Sequence, residues 1–300
     1  MIQSHARVHR HPVLAFFLSL LITGLGQMYN GDLARGLIYF FLRIINLLLI
    51  PAVLVLNREV SLIHFVTVMF VLHLIIIMIT SADAFFSALR KPFINPGRVN
   101  SPLFYGLYSM LNILLLTLAI LAVFSMISLE RVKGTAMNPT FEEGEIILVN
   151  SLRAAFPQKG DVILYKDQGS LLIGRILARG NDEVRFAGEA LNVNGIPLSP
   201  GAYADDGERE SLGLPNKENL FFETQGDRRY PILGLPKNNR NLARMRPQKI
   251  PVGSIFLLPD NRQTVEGGFT ISTGMVAGIV EGIIFSSNYR RLCLRPYQPY

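Results

Sequence analysis

The chain is poor in cysteine and in charge. Its 300 residues include a single cysteine, Cys293, so an intrachain disulfide framework is excluded and the thiol is most simply inert. Only 17% of the residues are charged and 50% are hydrophobic. Since an average soluble domain carries about 25% charged residues, this composition argues against an ordinary soluble protein and indicates membrane-spanning segments.

The sequence also lacks a dense basic patch, although its formal net charge is +7. Nucleic acid is therefore not expected as a partner. His64 and His73 are nine residues apart and face opposite sides of a helix, so they do not form a metal pair. We expect neither a metal nor a cofactor. No Ala-x-Ala-type cleavage site follows the first apolar run, so we expect no cleavable signal peptide.

Four apolar segments occupy the N-terminal half, at about 13–29, 37–56, 60–80 and 103–128. The last three reach the roughly 20 residues that a helix needs to cross a bilayer, so membrane lipid is an expected partner. The first is weaker because Gly24 and Gly26 interrupt it. The predicted architecture is a multi-span α-helical membrane region, 1–130, followed by an all-β domain, 131–300.

The charges flanking these segments predict an orientation. Arg90, Lys91 and Arg98 lie between the third and fourth segments, so that loop should be cytoplasmic and residues 131–300 extracytoplasmic. Arg7 and Arg10 also favour the cytoplasm for the N-terminus, which requires an odd number of crossings. Either the first segment is a half-span or re-entrant hairpin, or the N-terminus lies outside; three and four crossings both remain open.

Arg43 lies inside the second apolar segment, where a charge is costly. It could pair with Asp83 at the end of the third segment, or its side chain could extend to the near membrane interface. The residues alone do not choose between these two interpretations.

The C-terminal half is typical of β structure, because short runs rich in Ile, Leu and Val alternate with Gly, Pro, Asn and Asp. Asn194-Gly195 predicts a two-residue type I′ hairpin. The polar segment from about 199 to 250 is expected to be a loop-like insertion. The predicted strands are 145–150, 161–166, 171–179, 183–186 and 254–258.

Several motifs support a family resemblance. Gly134-Thr-Ala-Met-Asn-Pro-Thr140 resembles the Ser-x-Ser-Met-x-Pro-Thr nucleophile segment of bacterial signal peptidase I, a membrane serine peptidase of the S26 type. The segment Gly24–Gly31 separately resembles the tight turn of small TM2-like membrane modules. Five further blocks follow the first motif in the family's order, at 143–150, 159–165, 172–182, 222–227 and 251–262.

The resemblance implies that the catalytic residues are missing. The nucleophilic Ser is matched by Ala136, and the general-base Lys by Gly174. An alanine methyl cannot form an acyl intermediate, and a glycine cannot accept a proton. The oxyanion-holding Ser is matched by Gly134 and the Ser that steadies the Lys by Val265. The Asp and Arg of the family's supporting salt bridge are matched by Gly267 and Phe269.

A displaced nucleophile is the competing interpretation. Thr135 is adjacent to Ala136, but in an extended segment it would point to the opposite face. Other candidate hydroxyls and bases are better interpreted as helix-terminal or solvated groups; these are Ser125, Ser128, Ser151, Lys133 and Lys166.

The family fold implies paired antiparallel sheets with a shallow groove, where a peptide adds as a strand through backbone hydrogen bonds. The residues 260–262, Asp-Asn-Arg, resemble the family's structural box. The candidate groove residues are Thr135, Met137, Pro139, Phe141, Ile173 and Arg175.

These observations favour an inactive signal peptidase homologue in the bacterial cytoplasmic membrane. It would bind signal peptides, precursor proteins or membrane-protein segments, or associate with an active signal peptidase or an assembly complex. Two alternatives remain: an active endopeptidase with unorthodox residues, and a membrane scaffold whose β domain is a remnant.

Overall fold

The computed structural model describes residues 8–56, 62–94, 100–187, 190–198, 200–203, 206–211, 213–214, 219–234, 245–263 and 267–299. The chain divides into two compact units, Met1–Ser125 and Met126–Tyr300. The first unit is helical and the second is built from β-sheets.

Apolar helices form the first unit, together with a short antiparallel ribbon of β1 and β2. The ribbon pairs Val8 with Ile94 and His9 with Phe93. The elements are β1 (Val8–His9), α1 (Pro12–Leu21), α2 (Leu25–Tyr29), α3 (Leu33–Leu56), α4 (Leu62–Arg90), β2 (Phe93–Ile94) and α5 (Pro102–Met126).

The first apolar segment is broken into α1 and α2, as its glycines predict. Gly24 separates the two helices with a φ of +89°, a conformation that glycine adopts without strain. The ten residues of α1 span about 15 Å, roughly half of a hydrocarbon core. No continuous helix of bilayer length therefore forms within this described segment.

Two described helical stretches are long and apolar enough to cross a membrane, Thr67–Arg90 within α4 and Pro102–Met126, which is α5. The helix α3 has 24 residues and carries Arg35 and Arg43. The fourth apolar segment was expected to reach residue 128, but α5 ends at Met126 because the chain then enters a strand.

The turn between α1 and α3 packs tightly against α4. The side-chain amide of Gln27 donates to the Thr80 carbonyl at 2.6 Å, and that of Asn30 donates to the Ala84 carbonyl at 2.7 Å. A Cβ at Gly26 would lie 2.1 Å from the Ala15 carbonyl oxygen. Glycine is therefore required there for close packing.

Both interpretations of Arg43 are wrong. Its side chain is 8% exposed, so it does not reach an interface. Its Nη1 donates to the Thr23 hydroxyl at 3.1 Å. The Asp83 carboxylate instead lies 3.6 Å from the guanidinium of Arg35, which is near the start of α3. It also accepts a hydrogen bond from the side-chain amide of Gln27.

The second unit contains a seven-stranded antiparallel sheet in the order β15-β14-β6-β5-β16-β4-β3. Its central strands bury Ile, Leu and Val side chains, which is the pattern expected for a strand covered on both faces. The strands are β3 (Ile127–Arg131), β4 (Ile146–Asn150), β5 (Val162–Asp167), β6 (Ser170–Arg179), β14 (Ser254–Leu258), β15 (Phe269–Ser272) and β16 (Val276–Phe285).

Two four-stranded sheets complete this unit, in the orders β13-β7-β8-β9 and β10-β11-β12-β17. The predicted type I′ hairpin is confirmed, because Asn194 and Gly195 have φ values of 56° and 78° and join β8 to β9. The strands are β7 (Glu183–Ala187), β8 (Ala190–Val193), β9 (Ile196–Leu198), β10 (Pro200–Tyr203), β11 (Leu220–Gln225), β12 (Arg228–Leu233), β13 (Gln248–Lys249) and β17 (Gln298–Pro299), with a short helix α6 (Asp206–Ser211).

The described residues between 199 and 250 include regular strands, contrary to the prediction of a loop-like insertion. Its hairpin β11–β12 pairs Leu220 with Leu233 through to Gln225 with Arg228. Its side chains Phe222 and Tyr230 are fully buried. The polar composition of the whole segment concealed these short apolar stretches.

Candidate functional site

The segment around Ala136 forms turns rather than a strand. The Asn138 amide donates to the Thr135 carbonyl at 3.1 Å, and the Phe141 amide donates to the Met137 carbonyl at 2.9 Å. Thr135 and Ala136 therefore do not alternate across an extended segment, contrary to the prediction. Both side chains are exposed, and Met137 is buried.

Asn261 fixes this turn. Its backbone amide donates to the Ala136 carbonyl at 3.0 Å, and its side-chain amide donates to the Thr135 carbonyl at 3.1 Å. The segment that resembles the family's structural box thus holds the segment that resembles its nucleophile motif. The two are more than 120 residues apart in sequence.

Arg175 and Asp260 form a fully buried, two-pronged ion pair beside the turn. Arg175 Nε and Nη2 each lie 2.7 Å from a carboxylate oxygen of Asp260. The guanidinium also donates to the carbonyls of Gly160 and Pro296 and stacks over the Tyr230 ring at 3.8 Å. Burial would lower the pKa of Arg175, but the carboxylate of Asp260 outweighs it, so the pKa is raised.

A second buried pair supports the same region. Arg262 Nη2 lies 3.1 Å from Glu223, whose carboxylate also accepts a hydrogen bond from the Tyr230 hydroxyl at 2.7 Å. Arg262 donates as well to the Pro259 carbonyl. Asp260, Asn261 and Arg262 therefore all make structural contacts, and together they connect the turn to the hairpin β11–β12.

A cleft of about 620 Å³ opens beside Ala136. Its lining is mostly apolar and includes the charged residues Glu130, Arg131 and Lys133. Its other lining residues are Val132, Ala136, Met137, Leu164, Tyr165, Gly169, Ser170, Leu171, Leu172, Ile173, Pro259 and Phe269.

Only some of the predicted groove residues line the cleft. Met137 and Ile173 line the cleft. Phe141 and Arg175 have no exposed surface and were wrongly assigned to it, because one packs in the core and the other is ion-paired. Pro139 is also buried, whereas Thr135 is exposed.

Gly174 is buried in the apolar interior next to the cleft. A Cβ there would lie 3.4 Å from Leu257 Cδ1 and 3.6 Å from Tyr165 Cε1. Gly174 pairs with Ile163, and Tyr165 pairs with Leu172, so the Tyr165 ring shares the face of the sheet with position 174. Burial, and then the charge of Asp167, raise the pKa of Tyr165 to about 12.

The other positions matched to catalytic support also lack polar side chains. Gly134 is exposed, with a φ of +72°, and its amide donates to the Glu143 carboxylate at 3.3 Å. The Phe269 ring lines the cleft with its centroid 5.9 Å from that of Tyr165. Gly267 precedes it, and Val265 lies outside the described residues.

One edge of β6 is open beside the cleft. The neighbouring strand β14 pairs only with Arg175 to Arg179, whereas β5 pairs with the whole of Ser170 to Arg175 on the other side. Among the described residues, no strand pairs with the outer edge of 170–174. Ile173 was predicted at this site from the sequence, whereas Tyr165, Leu171 and Leu172 were not. The hairpin turn Gln168-Gly169 was the available signal, since it sets the register that brings them to this edge.

Within the described residues, no group of three His, Cys, Asp or Glu side chains is placed to hold a metal ion. The exposed cleft side chains that could act on a peptide are the lysine Lys133 and the hydroxyl of Ser170.

Comparison with known proteins identifies a family for this chain. The family model "Signal peptidase, peptidase S26" matches residues 107–266, just over half of the chain. Signal peptidase I V of Bacillus subtilis (strain 168) is 34% identical over 68 residues, 22% of this chain and 40% of that protein. Inactive signal peptidase IA of Staphylococcus aureus (strain COL) is 24% identical over 137 residues, 43% of this chain and 78% of that protein.

A crystal structure of a signal peptidase I from Enterococcus faecalis V583 aligns with 41% of this chain and 95% of that chain, with 21% identity and a TM-score of 0.25. The family match spans both the turn that carries Ala136 and the strand that carries Gly174. The chain belongs to the signal peptidase family, peptidase S26.

Proposed function

We propose that this chain is a membrane-anchored, non-catalytic signal peptidase homologue that binds extended apolar segments of exported or membrane proteins in the cleft. Covalent peptide hydrolysis needs a nucleophilic oxygen or sulfur and a base to activate it. Ala136 and Gly174, which match the family's nucleophile and base, supply neither. The frame around them is nonetheless held by buried ion pairs and hydrogen bonds.

The observation that carries this proposal is the open edge of β6 beside the cleft. Ser170 to Gly174 present about 16 Å of strand, enough to pair with a five-residue extended peptide. Strand addition supplies affinity through backbone hydrogen bonds and needs no catalytic side chain. Leu171, Leu172 and Phe269 are each more than one-third exposed there and favour apolar side chains in the ligand.

A fluorescent signal-peptide segment titrated onto the full chain in lipid nanodiscs tests this. The Leu172→Asp variant should bind at least tenfold more weakly, because a bound peptide would bury the new charge without a partner. Val252→Asp is the matched control, since Val252 is 79% exposed and does not line the cleft. Equal affinity of both variants, or no binding by the wild type, would contradict the proposal.

A second candidate function is peptide cleavage by unorthodox residues. It is favoured by one observation, that Lys133 and Ser170 both line the cleft and are exposed. Mass spectrometry of a preprotein incubated with the full chain distinguishes the two functions. Cleavage by the wild type that is lost in Ser170→Ala, Lys133→Met or Thr135→Ala would establish the second; we expect no product from any of them.

We further propose a multi-pass location in the bacterial cytoplasmic membrane, with residues 131–300 outside. The two long apolar helices and the basic residues Arg90 and Lys91 support this orientation. Impermeant maleimide labelling in a Cys293→Ser background tests it. In cells whose outer membrane is permeabilised and whose cytoplasmic membrane is intact, Asp227→Cys, at an exposed hairpin tip, should be labelled, and Lys91→Cys should not. The reverse pattern would show the opposite orientation in the membrane.

Association with an active signal peptidase or an assembly complex is the remaining part of the proposal. Such a partner could hold the precursor while this chain binds an apolar segment of it. Crosslinking in native membranes, followed by mass spectrometry, should recover either a precursor or a processing enzyme. Recovery of neither would leave the cleft without a physiological ligand and contradict this role.

A further inference from the structure

A polar cluster lies between α3 and α4, inside the helical unit. Arg43 and Asn46 are three residues apart on α3 and therefore share a face of that helix. Met69 and His73 are four residues apart on α4 and share a face in the same way. The Asn46 side-chain amide lies 3.8 Å from the Met69 sulfur, so these two faces meet.

Three polar atoms of this cluster are buried without a hydrogen-bond partner among the described residues. They are Arg43 Nε, Asn46 Oδ1 and His73 Nδ1. The Arg43 side chain is 8% exposed and that of Asn46 is 3% exposed. Buried polar atoms are rarely left unpaired, since each then forfeits its hydration without a replacement bond.

The charge of Arg43 also lacks a counter-charge in the described part of the chain. Its hydrogen bond is to the neutral hydroxyl of Thr23. The Asp83 carboxylate is ten residues beyond His73 on α4, about 15 Å along the helix, and is paired with Arg35. An isolated buried cation is costly, and in helical membrane regions such residues commonly mark a functional site.

We propose that Arg43, Asn46 and His73 form a binding site for a small inorganic anion of halide size. The Arg43 Nε–H donates, and the His73 tautomer with a proton on Nδ1 donates as well. The oxygen and nitrogen of an Asn amide exchange places by a half-turn, and that half-turn turns the Asn46 NH₂ toward the anion in exchange for its long contact with the Met69 sulfur. The anion then supplies the counter-charge that Arg43 lacks and accepts hydrogen bonds from the two unpaired nitrogens, Arg43 Nε and His73 Nδ1.

A free ion fits this position better than a lipid headgroup. Arg43 is eight residues beyond Arg35, about 12 Å further along α3. The outward-facing neighbours Phe41, Leu42 and Ile45 are apolar and exposed. The phosphodiester of a lipid headgroup would therefore have to pass apolar side chains to reach the Arg43 guanidinium.

The test is thermal unfolding of the full chain in nanodiscs of zwitterionic lipid, in chloride or bromide against gluconate at equal ionic strength. A ligand that binds only the folded state raises the midpoint, so saturating halide should raise it by a few degrees. Arg43→Gln should abolish this shift. Arg35→Gln is the matched control on the same helix, with a side chain 52% exposed, and should keep the shift.

If Arg43→Gln does not fold, His73→Phe provides the second variant, and its halide affinity should fall about tenfold because one donor is lost. Three results would overturn the proposal. The first is a wild-type unfolding midpoint that does not change with halide. The second is an Arg43→Gln or His73→Phe variant that keeps the wild-type halide affinity. The third is a midpoint that rises only when the nanodisc contains anionic lipid.

Discussion

Replacing Asp260 by Ala should destabilise the β unit strongly. The substitution leaves the fully buried guanidinium of Arg175 without its two 2.7 Å contacts to the carboxylate. Removing one partner of a buried ion pair costs about 3–5 kcal/mol, because the other charge remains desolvated. Arg175 keeps its bonds to the carbonyls of Gly160 and Pro296, so we expect the lower limit, about 3 kcal/mol.

In a unit of this size such a loss lowers the unfolding midpoint by about 6–12 °C. Circular dichroism of the full chain in detergent, followed on heating, measures it. Glu210→Ala is the control, since the Glu210 carboxylate is 68% exposed and its 2.8 Å pair with Arg290 is screened by solvent, so its loss should leave the midpoint nearly unchanged.

The double variant Arg175→Met with Asp260→Leu should recover most of the loss, because two apolar side chains leave no unpaired charge. An Asp260→Ala midpoint within about 2 °C of the wild type would contradict this prediction. It would mean that this ion pair does not hold the turn and β6 together.

Three further predictions follow from particular contacts. Ala136→Ser combined with Gly174→Lys should not restore efficient preprotein cleavage, because the supporting hydroxyl positions remain Gly and Val and each lost oxyanion donor costs about 10²–10³ in rate; efficient turnover in a mass-spectrometric assay would contradict this. Burial would raise the pKa of Asp182, but hydrogen bonds from a backbone amide, a lysine and an asparagine outweigh it and lower the pKa. The stabilisation by ionised Asp182 is therefore present above about pH 4 and lost as the pH falls further. Asp182→Asn should lower the urea midpoint of unfolding at pH 7 and make that midpoint less dependent on pH in the acid range. Gly26→Ala should abolish folding of the helical unit, whereas Gly106→Ala, whose Cβ would meet nothing within 4 Å, should leave the melting midpoint equal or higher.

Local signals predicted the elements that depend on local chemistry. The strand Ser254–Leu258 begins and ends as expected, and the Asn194-Gly195 turn has the predicted backbone conformation. The interruption at Gly24 was also visible, because a glycine at positive φ breaks an apolar helix without strain. The resemblance located Ala136 at the edge of a real cleft.

Features that depend on distant contacts were not predictable from one sequence. The role of Arg175 is set by Asp260, 85 residues away, so its burial as an ion pair could not be inferred locally. The Tyr165 ring lies beside position 174 only because of the register between β5 and β6. The contact of Arg43 with Thr23 similarly depends on how α3 packs against the broken first segment.

Binding without cleavage is tested most directly by titrating one purified preprotein onto the full chain in nanodiscs. The masses of both proteins are then measured by mass spectrometry. We expect saturable binding with a dissociation constant on the order of micromolar, and an unchanged preprotein mass after prolonged incubation. A shortened preprotein accumulating with time, or no binding at all, would contradict it.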